Sequence, residues 1–308
     1  MKGEEERLTI AILGPGGVGG FLAAVLDRAG TPVLVVAREP TAELISERGL
    51  QVESVRFGRC CARVRARAQL HEKVDVLVVA TKAAALHDAL ARVEVAPRLV
   101  LPLLNGLDHL AVLRERFDPR TVAAGAIRIE ADRPAPGVIV HTSPFLRVDM
   151  APHDPSARAL VQALAAELER AEVPTRVLDS EAQVMWAKLV RLNALACTTS
   201  AFDSLLGEIR STPELREQLL GAIDEGAAVA RAEGAQIEAA AVLGELTDAH
   251  ATLGSSMQRD IAAGRAPELD AIPGAVLRAA ARHGLQCPTI ERLTAMIAQR
   301  AGVPAPVV

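Results

Sequence analysis

A chain of 308 residues, 50% hydrophobic and 23% charged, is long enough for about two globular domains and lacks the polar bias of a disordered protein. Its 34 basic residues are outnumbered by 38 acidic ones, and it holds one Trp, no Tyr and five Phe. A net charge of -4 with so few aromatic rings excludes the basic, base-stacking surface of a nucleic-acid binder.

The chain opens with the acidic, polar stretch Met1 to Arg7, which is unlike a secretory leader. An apolar run follows at Leu8 to Leu13, then Gly14-Pro15-Gly16-Gly17-Val18-Gly19, then the alanine-rich helical segment Phe21 to Ala29. A Gly-x-Gly-x-x-Gly turn between strand and helix is the fingerprint of dinucleotide binding. Gly14 supplies the tight turn, Gly16 lets backbone approach a pyrophosphate, and Gly19 lets the helix pack closely on the strand. The phosphates would meet the unpaired N–H groups of Gly17, Val18 and Gly19 at the helix N-terminus. Residues 8–26 carry no charge and have the length of a membrane span, but the glycines and Pro15 break the segment in its middle.

A second strand at Pro32 to Ala37 ends in Arg38. An acidic side chain at this place binds a free ribose 2′-hydroxyl, whereas arginine accommodates a 2′-phosphate. Arg38 therefore points to NADP(H), its planar fork matching a phosphate; Glu39 next to it is the acidic alternative, and a solvated arginine the plainer one.

Further apolar runs at Val74 to Ala80 and Leu99 to Leu104 complete the pattern of a parallel sheet covered on both faces. Lys82 and Asn105 fall just past these two runs, where ligands of an open sheet collect. An asparagine there offers a donor and an acceptor, although Asn105-Gly106 also reads as a simple turn. Short strands at Val122 to Ala126, Val138 to His141 and Leu146 to Met150 are expected to extend the sheet in antiparallel fashion. A helix over 156–172 and a last strand at Thr175 to Leu178 close this half.

From Glu181 helical patterns take over. The expected division is a Rossmann NADP-binding domain over 1–180 and an all-α substrate and catalytic domain over 181–308, an α/β fold class overall. Helices are expected over Glu181 to Thr198, over Thr212 to Glu233, and over Glu238 to Asp260 with an interruption near Leu253 to Ser256. Pro267 reads as the first residue of a new helix carrying Glu268, and Gly284 with Pro288 separates the last two helices. Lys188, in Trp186-Ala187-Lys188-Leu189, stands alone in an apolar stretch. Such a lysine is a candidate proton donor, against the commoner case of one snorkelling from an amphipathic helix. Ser255-Ser256-Met257-Gln258-Arg259-Asp260 and Glu268-Leu269-Asp270 add polar groups that by themselves read as caps or surface.

Cys60, Cys61, Cys197 and Cys287 lack C-x-x-C spacing and the seven histidines are scattered, so no metal role is assigned and the thiols read as reduced. The whole reads as a soluble cytoplasmic protein acting on a small molecule, with no nucleic-acid or membrane partner. The helical half is a candidate homodimer interface, with no sequence feature that decides it.

In this order the motifs resemble ketopantoate reductase (2-dehydropantoate 2-reductase), of the 6-phosphogluconate-dehydrogenase-like superfamily. The resemblance runs from Leu8 to about Ala298. It rests on GPGGVG, Thr81-Lys82-Ala83, Leu104-Asn105-Gly106, Trp186-Ala187-Lys188-Leu189, the Ser255-Ser256-Met257 to Asp260-Ile261 stretch, Gly264-Arg265, Glu268-Leu269-Asp270 and Ile272-Pro273-Gly274.

It implies that Lys188 is the general acid and that Asn105 contacts nicotinamide ribose and substrate. It further implies that Ser256 binds the substrate carboxylate, that Glu268 positions the lysine and ligand hydroxyls, that Lys82 lies beside the cofactor, and that Arg38 takes the 2′-phosphate of NADPH. The implied reaction reduces 2-dehydropantoate to pantoate, in pantothenate and coenzyme A biosynthesis. One departure stands out: the asparagines common in the family four and eight positions after the lysine are Leu192 and Ala196 here. Asn193 is rotated from Lys188 by about 140°, at ~100° per residue. A paralogous reductase of another 2-keto acid is therefore an alternative, and a non-catalytic NADP(H) sensor a further one that the retained Lys188, Ser256 and Glu268 argue against.

Overall fold

The structure, a computed structural model, describes residues 7–307. The leader expectation for Met1 to Arg7 thus falls almost wholly outside the described residues. Two compact units form among them, one from the described residues up to Leu104 with His109–Val184, the other from Asn105–Asp108 with the described residues from Met185 onward. No helix among the described residues is long and apolar enough to cross a membrane.

The first unit is built on β1 (Ile10–Leu13), α1 (Gly17–Arg28), β2 (Val33–Val36), α2 (Glu39–Arg48), β3 (Leu50–Ser54), β4 (Gly58–Ala62), β5 (Arg65–Arg67), β6 (Val76–Val79), α3 (Leu86–Leu90), β7 (Leu99–Pro102) and α4 (His109–Arg116). It is completed by β8 (Ala124–Arg128), β9 (Ala131–Ala135), β10 (Val138–His141), β11 (Arg147–Ala151), α5 (Arg158–Arg170) and β12 (Thr175–Val177). The main sheet has the order β5-β2-β1-β6-β7 and is parallel throughout. Its central strands are apolar at every position because both faces are covered. Ile10, Ile12, Val33, Val35, Val76 and Val78 face one core with α1, while Ala11, Leu13, Leu34, Val36, Leu77 and Val79 face the other with Leu86, Leu90 and Leu113.

The strands expected to extend this sheet instead build two others, in the orders β4-β3-β10-β9 and β12-β11-β8. The cause is the hairpin β3–β4, unrecognised in the sequence, which pairs β3 with β10 in parallel and so captures that strand. Val122 keeps only an isolated bridge to Val100 of the main sheet. The second sheet packs on α1 from the side away from β1 and β2, which is why Gly19–Leu26 are all buried. Glu167 of α5 is buried yet satisfied: it accepts from Thr31 Oγ1 at 2.7 Å and the Leu8 N–H at 3.3 Å and pairs with Arg170.

The boundary between units falls inside α6 (Glu181–Phe202), which runs one turn beyond the expected end at Thr198. The second unit continues through α7 (Leu206–Ser211), α8 (Pro213–Ala232), α9 (Ala239–Asp248), α10 (Ser256–Ala262), α11 (Ala275–Arg282) and α12 (Pro288–Ala301). Helix α8 packs against α7, α9, α11 and α12. It also caps α12, because the Glu225 carboxylate accepts from the Thr289 and Ile290 N–H groups at 2.8 and 2.9 Å, satisfying orphan donors of that helix.

The expected helix start at Pro267 is not found: residues 265–268 are irregular and a π-turn spans Asp270–Gly274 before α11. Pro273 has no N–H to give the Leu269 carbonyl, so the Gly274 N–H bonds it instead at 3.0 Å, one residue late.

Candidate functional site

The chain steps outward from β1 through β2 to β5, then returns to β6 and β7 on the other side. The direction of winding therefore reverses between β1 and β6, the place where an open sheet collects ligands. Gly14 leaves β1 with φ 92°, and a Cβ on it would stand 2.7 Å from Thr81 Cγ2. A Cβ on Gly19 would lie 2.2 Å from the Gly14 carbonyl oxygen, so these two glycines are demanded by the turn and by the packing of α1. Gly16 differs. The nearest atom to its Cβ position is the Ala80 oxygen at 3.8 Å, so a side chain there would occupy open space above the turn, the cradle a pyrophosphate needs. Gly17 answers to a constraint invisible in the motif: its Cβ would sit 2.2 Å from the Ala131 carbonyl of β9.

Val18 follows Gly17 in the first turn of α1, where N–H groups have no intrahelical partner, and the N-cap Gly16 has no side chain to cap them. Thr81 Oγ1, beside Gly14, is buried with no hydrogen-bond partner, an orphan donor at the end of β6. Glycines, orphan hydroxyl and helix N-terminus together fit a dinucleotide. Arg38 is exposed as the N-cap of α2, two residues past β2. Arg67, exposed at the end of β5, is its neighbour across the sheet edge, since the Ala37 N–H bonds the Arg67 carbonyl at 3.0 Å. Neither guanidinium has a carboxylate partner among the described residues. Lys82 is exposed as the N-cap of a short 3-10 turn, Ala83–Ala85.

The second unit brings three of the sequence candidates into direct contact. Lys188 is half-buried on α6, flanked by the buried Trp186 and Leu189, and its Nζ donates to Asn105 Oδ1 at 2.9 Å. Asn105 Nδ2 in turn donates to Glu268 Oε2 at 2.8 Å. This order fixes the amide, since the reversed rotamer would aim its NH₂ at an ammonium and its oxygen at a carboxylate. The carboxylate at one end and the ammonium at the other polarise the amide in the same sense, which strengthens both bonds. Gly106, at φ 85°, is what permits the arrangement: a Cβ there would meet the Ala271 carbonyl oxygen at 2.1 Å. Asn105-Gly106 is thus both a turn and the holder of an engaged side chain.

Ser256 is not drawn into this chain of bonds. It is the exposed first residue of α10, whereas its neighbour Ser255 is buried, caps Gln258 N at 3.1 Å and accepts from Thr199 Oγ1 at 2.9 Å. Helix α6 is unbroken, so Asn193 stays rotated away from Lys188: it is fully buried, accepts from Cys197 Sγ at 3.3 Å, and has no partner for its Nδ2. On the lysine's side, Leu192 is half-buried and Ala196 fully buried. Sequence reasoning missed Arg67, because Arg65-Ala66-Arg67 does not read as a strand. It also missed Arg278, a lone charge in the apolar segment Ala275–Ala281 that bonds Asp108 Oδ2 at 2.6 Å and Asp270 Oδ1 at 2.7 Å.

Residues 10–154 match the family model described as ketopantoate reductase PanE/ApbA, and residues 182–301 match the model of that family's C-terminal region. A 2-dehydropantoate 2-reductase of Halobacterium salinarum is 28% identical over 305 residues, covering 96% of this chain and 100% of its own length. The crystal structure of 2-dehydropantoate 2-reductase from Geobacter metallireducens GS-15 is 26% identical and superposes with a TM-score of 0.87 over 95% of this chain and 99% of that one. A ternary structure of D-mandelate dehydrogenase with NADH and anilino(oxo)acetate shares the fold, with a TM-score of 0.86 at 21% identity over 96% of this chain and 99% of that one.

Proposed function

The chain belongs to the ketopantoate reductase PanE/ApbA family, a class of NAD(P)-dependent oxidoreductases acting on CH–OH groups, and on that premise we propose that it reduces 2-dehydropantoate to pantoate with NADPH. The observation that carries the reading is the bonded series Lys188–Asn105–Glu268, an ammonium held in place by an amide that a carboxylate orients. Bound NADPH supplies the hydride. Gly14, Gly16 and Gly19, with the N–H groups of Gly17 and Val18, hold its pyrophosphate, Lys82 lies beside it, and Arg38 takes the 2′-phosphate.

Lys188 delivers its proton to the ketone oxygen as negative charge develops there. Its positive charge favours that oxygen in the transition state over the neutral ketone, the condition for a rate gain. Asn105 orients the ammonium and offers its amide to the nicotinamide ribose and the substrate, Glu268 positions the amide, and Ser256 binds the substrate carboxylate. Domain roles divide accordingly, with a nucleotide half in residues 1–180, which lends the Asn105–Asp108 turn to the second unit, and a catalytic half in residues 181–308.

A second reading is favoured by Leu192 and Ala196, which leave the lysine's side of α6 without an amide, the half-buried Leu192 being apolar and suiting a 2-keto acid with a less hydroxylated side chain. Initial rates of NADPH oxidation across 2-dehydropantoate and a panel of 2-keto acids, repeated with NADH, separate the two. The first reading expects the highest kcat/KM for 2-dehydropantoate with NADPH; a clear preference for another acid selects the second.

A further inference from the structure

Two segments carry the contact between Asn105 and Glu268, and neither is held in place by regular secondary structure. One is the turn Asn105–Asp108; the other is the irregular stretch leading through Glu268 into the π-turn. The two backbones touch where Gly106 meets the Ala271 carbonyl. A single side chain then fastens their far ends. From α11, Arg278 Nη2 donates to Asp108 Oδ2 at 2.6 Å and to the Asp270 carbonyl at 3.0 Å, while its Nη1 donates to Asp270 Oδ1 at 2.7 Å and the Val307 carbonyl at 3.2 Å.

We propose that Arg278 is a positioning residue, whose guanidinium clamps the Asn105 turn to the Glu268 turn and so keeps the Asn105 amide between Lys188 and Glu268. Its hydrogen bonds go to none of those three residues, and its action runs through Asp108, three positions from Asn105, and Asp270, two positions from Glu268. The planar fork suits the task, because donors in fixed directions set the separation of two carboxylates, which a single ammonium point charge does not. The Asp108 and Asp270 side chains are 52% and 74% exposed, so these ion pairs contribute little to global stability. A clamp of this kind therefore affects geometry at the site more than the melting point. Its catalytic meaning rests on the reading of Lys188 as proton donor.

The sequence offers a direct probe, since it contains two asparagines, Asn105 and Asn193. Selective ¹⁵N-asparagine labelling yields two side-chain amide pairs, one in the site and one buried in α6 as an internal control. In Arg278→Gln, and again in Asp108→Ala should the first variant fold poorly, the Asn105 pair is expected to shift and its protons to exchange faster while the Asn193 pair stays in place.

Turnover is expected to fall roughly ten- to hundredfold, with NADPH affinity kept, Arg278→Lys only partly restoring it, and a double variant combining Arg278→Gln with Asp108→Ala no worse than the more impaired single one. Unmoved Asn105 resonances, or equal disturbance of both pairs, would overturn the clamp and leave Arg278 a general structural residue. Lys188→Ala assayed in parallel keeps the two claims apart: normal turnover there defeats the proton-donor reading, whereas the amide spectra still decide the clamp.

Discussion

Lys188 and Asn105, 83 residues apart in sequence, meet through one hydrogen bond of 2.9 Å, and the amide that accepts it is anchored on its other side by Glu268. On the reading of Lys188 as proton donor, an ammonium held this way has its direction set before any substrate arrives, and little reorganisation remains for the reaction itself.

Glu268 orients the amide, and its replacement separates charge from geometry. Glu268→Gln keeps an acceptor for Asn105 Nδ2 and should lower kcat by about tenfold, whereas Glu268→Ala frees the amide and should lower it by about a hundredfold. Equal losses in the two variants would mean that the carboxylate charge, rather than the orientation of Asn105, is what matters.

On the proposed reading Arg38 is the residue that reads the cofactor's 2′-phosphate. Arg38→Ala should raise the Kd for NADPH by about tenfold or more, the loss expected for a charge-assisted pair, and leave that for NADH nearly unchanged. Titration of both nucleotides against both proteins checks this, and parallel weakening of NADH would move Arg38 away from the 2′-phosphate.

Gly106 tests the close approach under the site. Gly106→Ala combines a φ of 85° with a Cβ 2.1 Å from the Ala271 oxygen, so it should cost more than about 1 kcal/mol of stability and also lower kcat. Denaturant unfolding and initial rates measure the two effects. Gly264→Ala, at φ 66° with nothing within 4 Å of its Cβ, supplies the strain without the clash.

Acid stability should fall first in the histidine range and again in the carboxylate range, where Asp149 acts together with other paired acids such as Asp75 and Glu167. Burial, reinforced by the Arg56 charge, lowers the pKa of His141 below the usual 6.5 against a smaller opposing bond at Ser143, so the folded protein resists a proton that the unfolded chain accepts. Stability then declines as pH drops from about 6.5 towards the lower folded value. Asp149 acts further down. Burial pushes its carboxyl up, but the hydrogen bonds and charges of Arg176 and Arg147 outweigh this and hold it below 3.8, so its contribution is present above that value and lost as pH falls through the folded one. Thermal melts from pH 8 to 3 should show both steps, and His141→Gln should flatten the first while sparing the second.

The parallel sheet is legible in the sequence because its strands are buried on both faces and so apolar at every position. The glycine turn is legible because steric demands at Gly14 and Gly19 leave no alternative residue. The β3–β4 hairpin and β5 are not, since half or more of their residues face solvent and Arg65-Ala66-Arg67 looks like any charged loop. Glu268 shows the limit of local rules. Pro267 has the form of a helix opening, yet Pro273 shifts the hydrogen bonding into a π-turn that begins later. Asn105, Lys188 and Glu268 carry no local signal of their mutual contact, and only the ordered resemblance along the chain placed them in one site.

The most direct test of the account is kcat for NADPH-dependent 2-keto acid reduction by the wild-type protein and by Lys188→Ala, with NADPH titrated into the same preparations. Loss of a positioned general acid predicts a fall of about a hundredfold or more with the NADPH Kd unchanged. Near-normal turnover by Lys188→Ala, or a wild-type protein that binds NADPH and reduces no 2-keto acid, would contradict it.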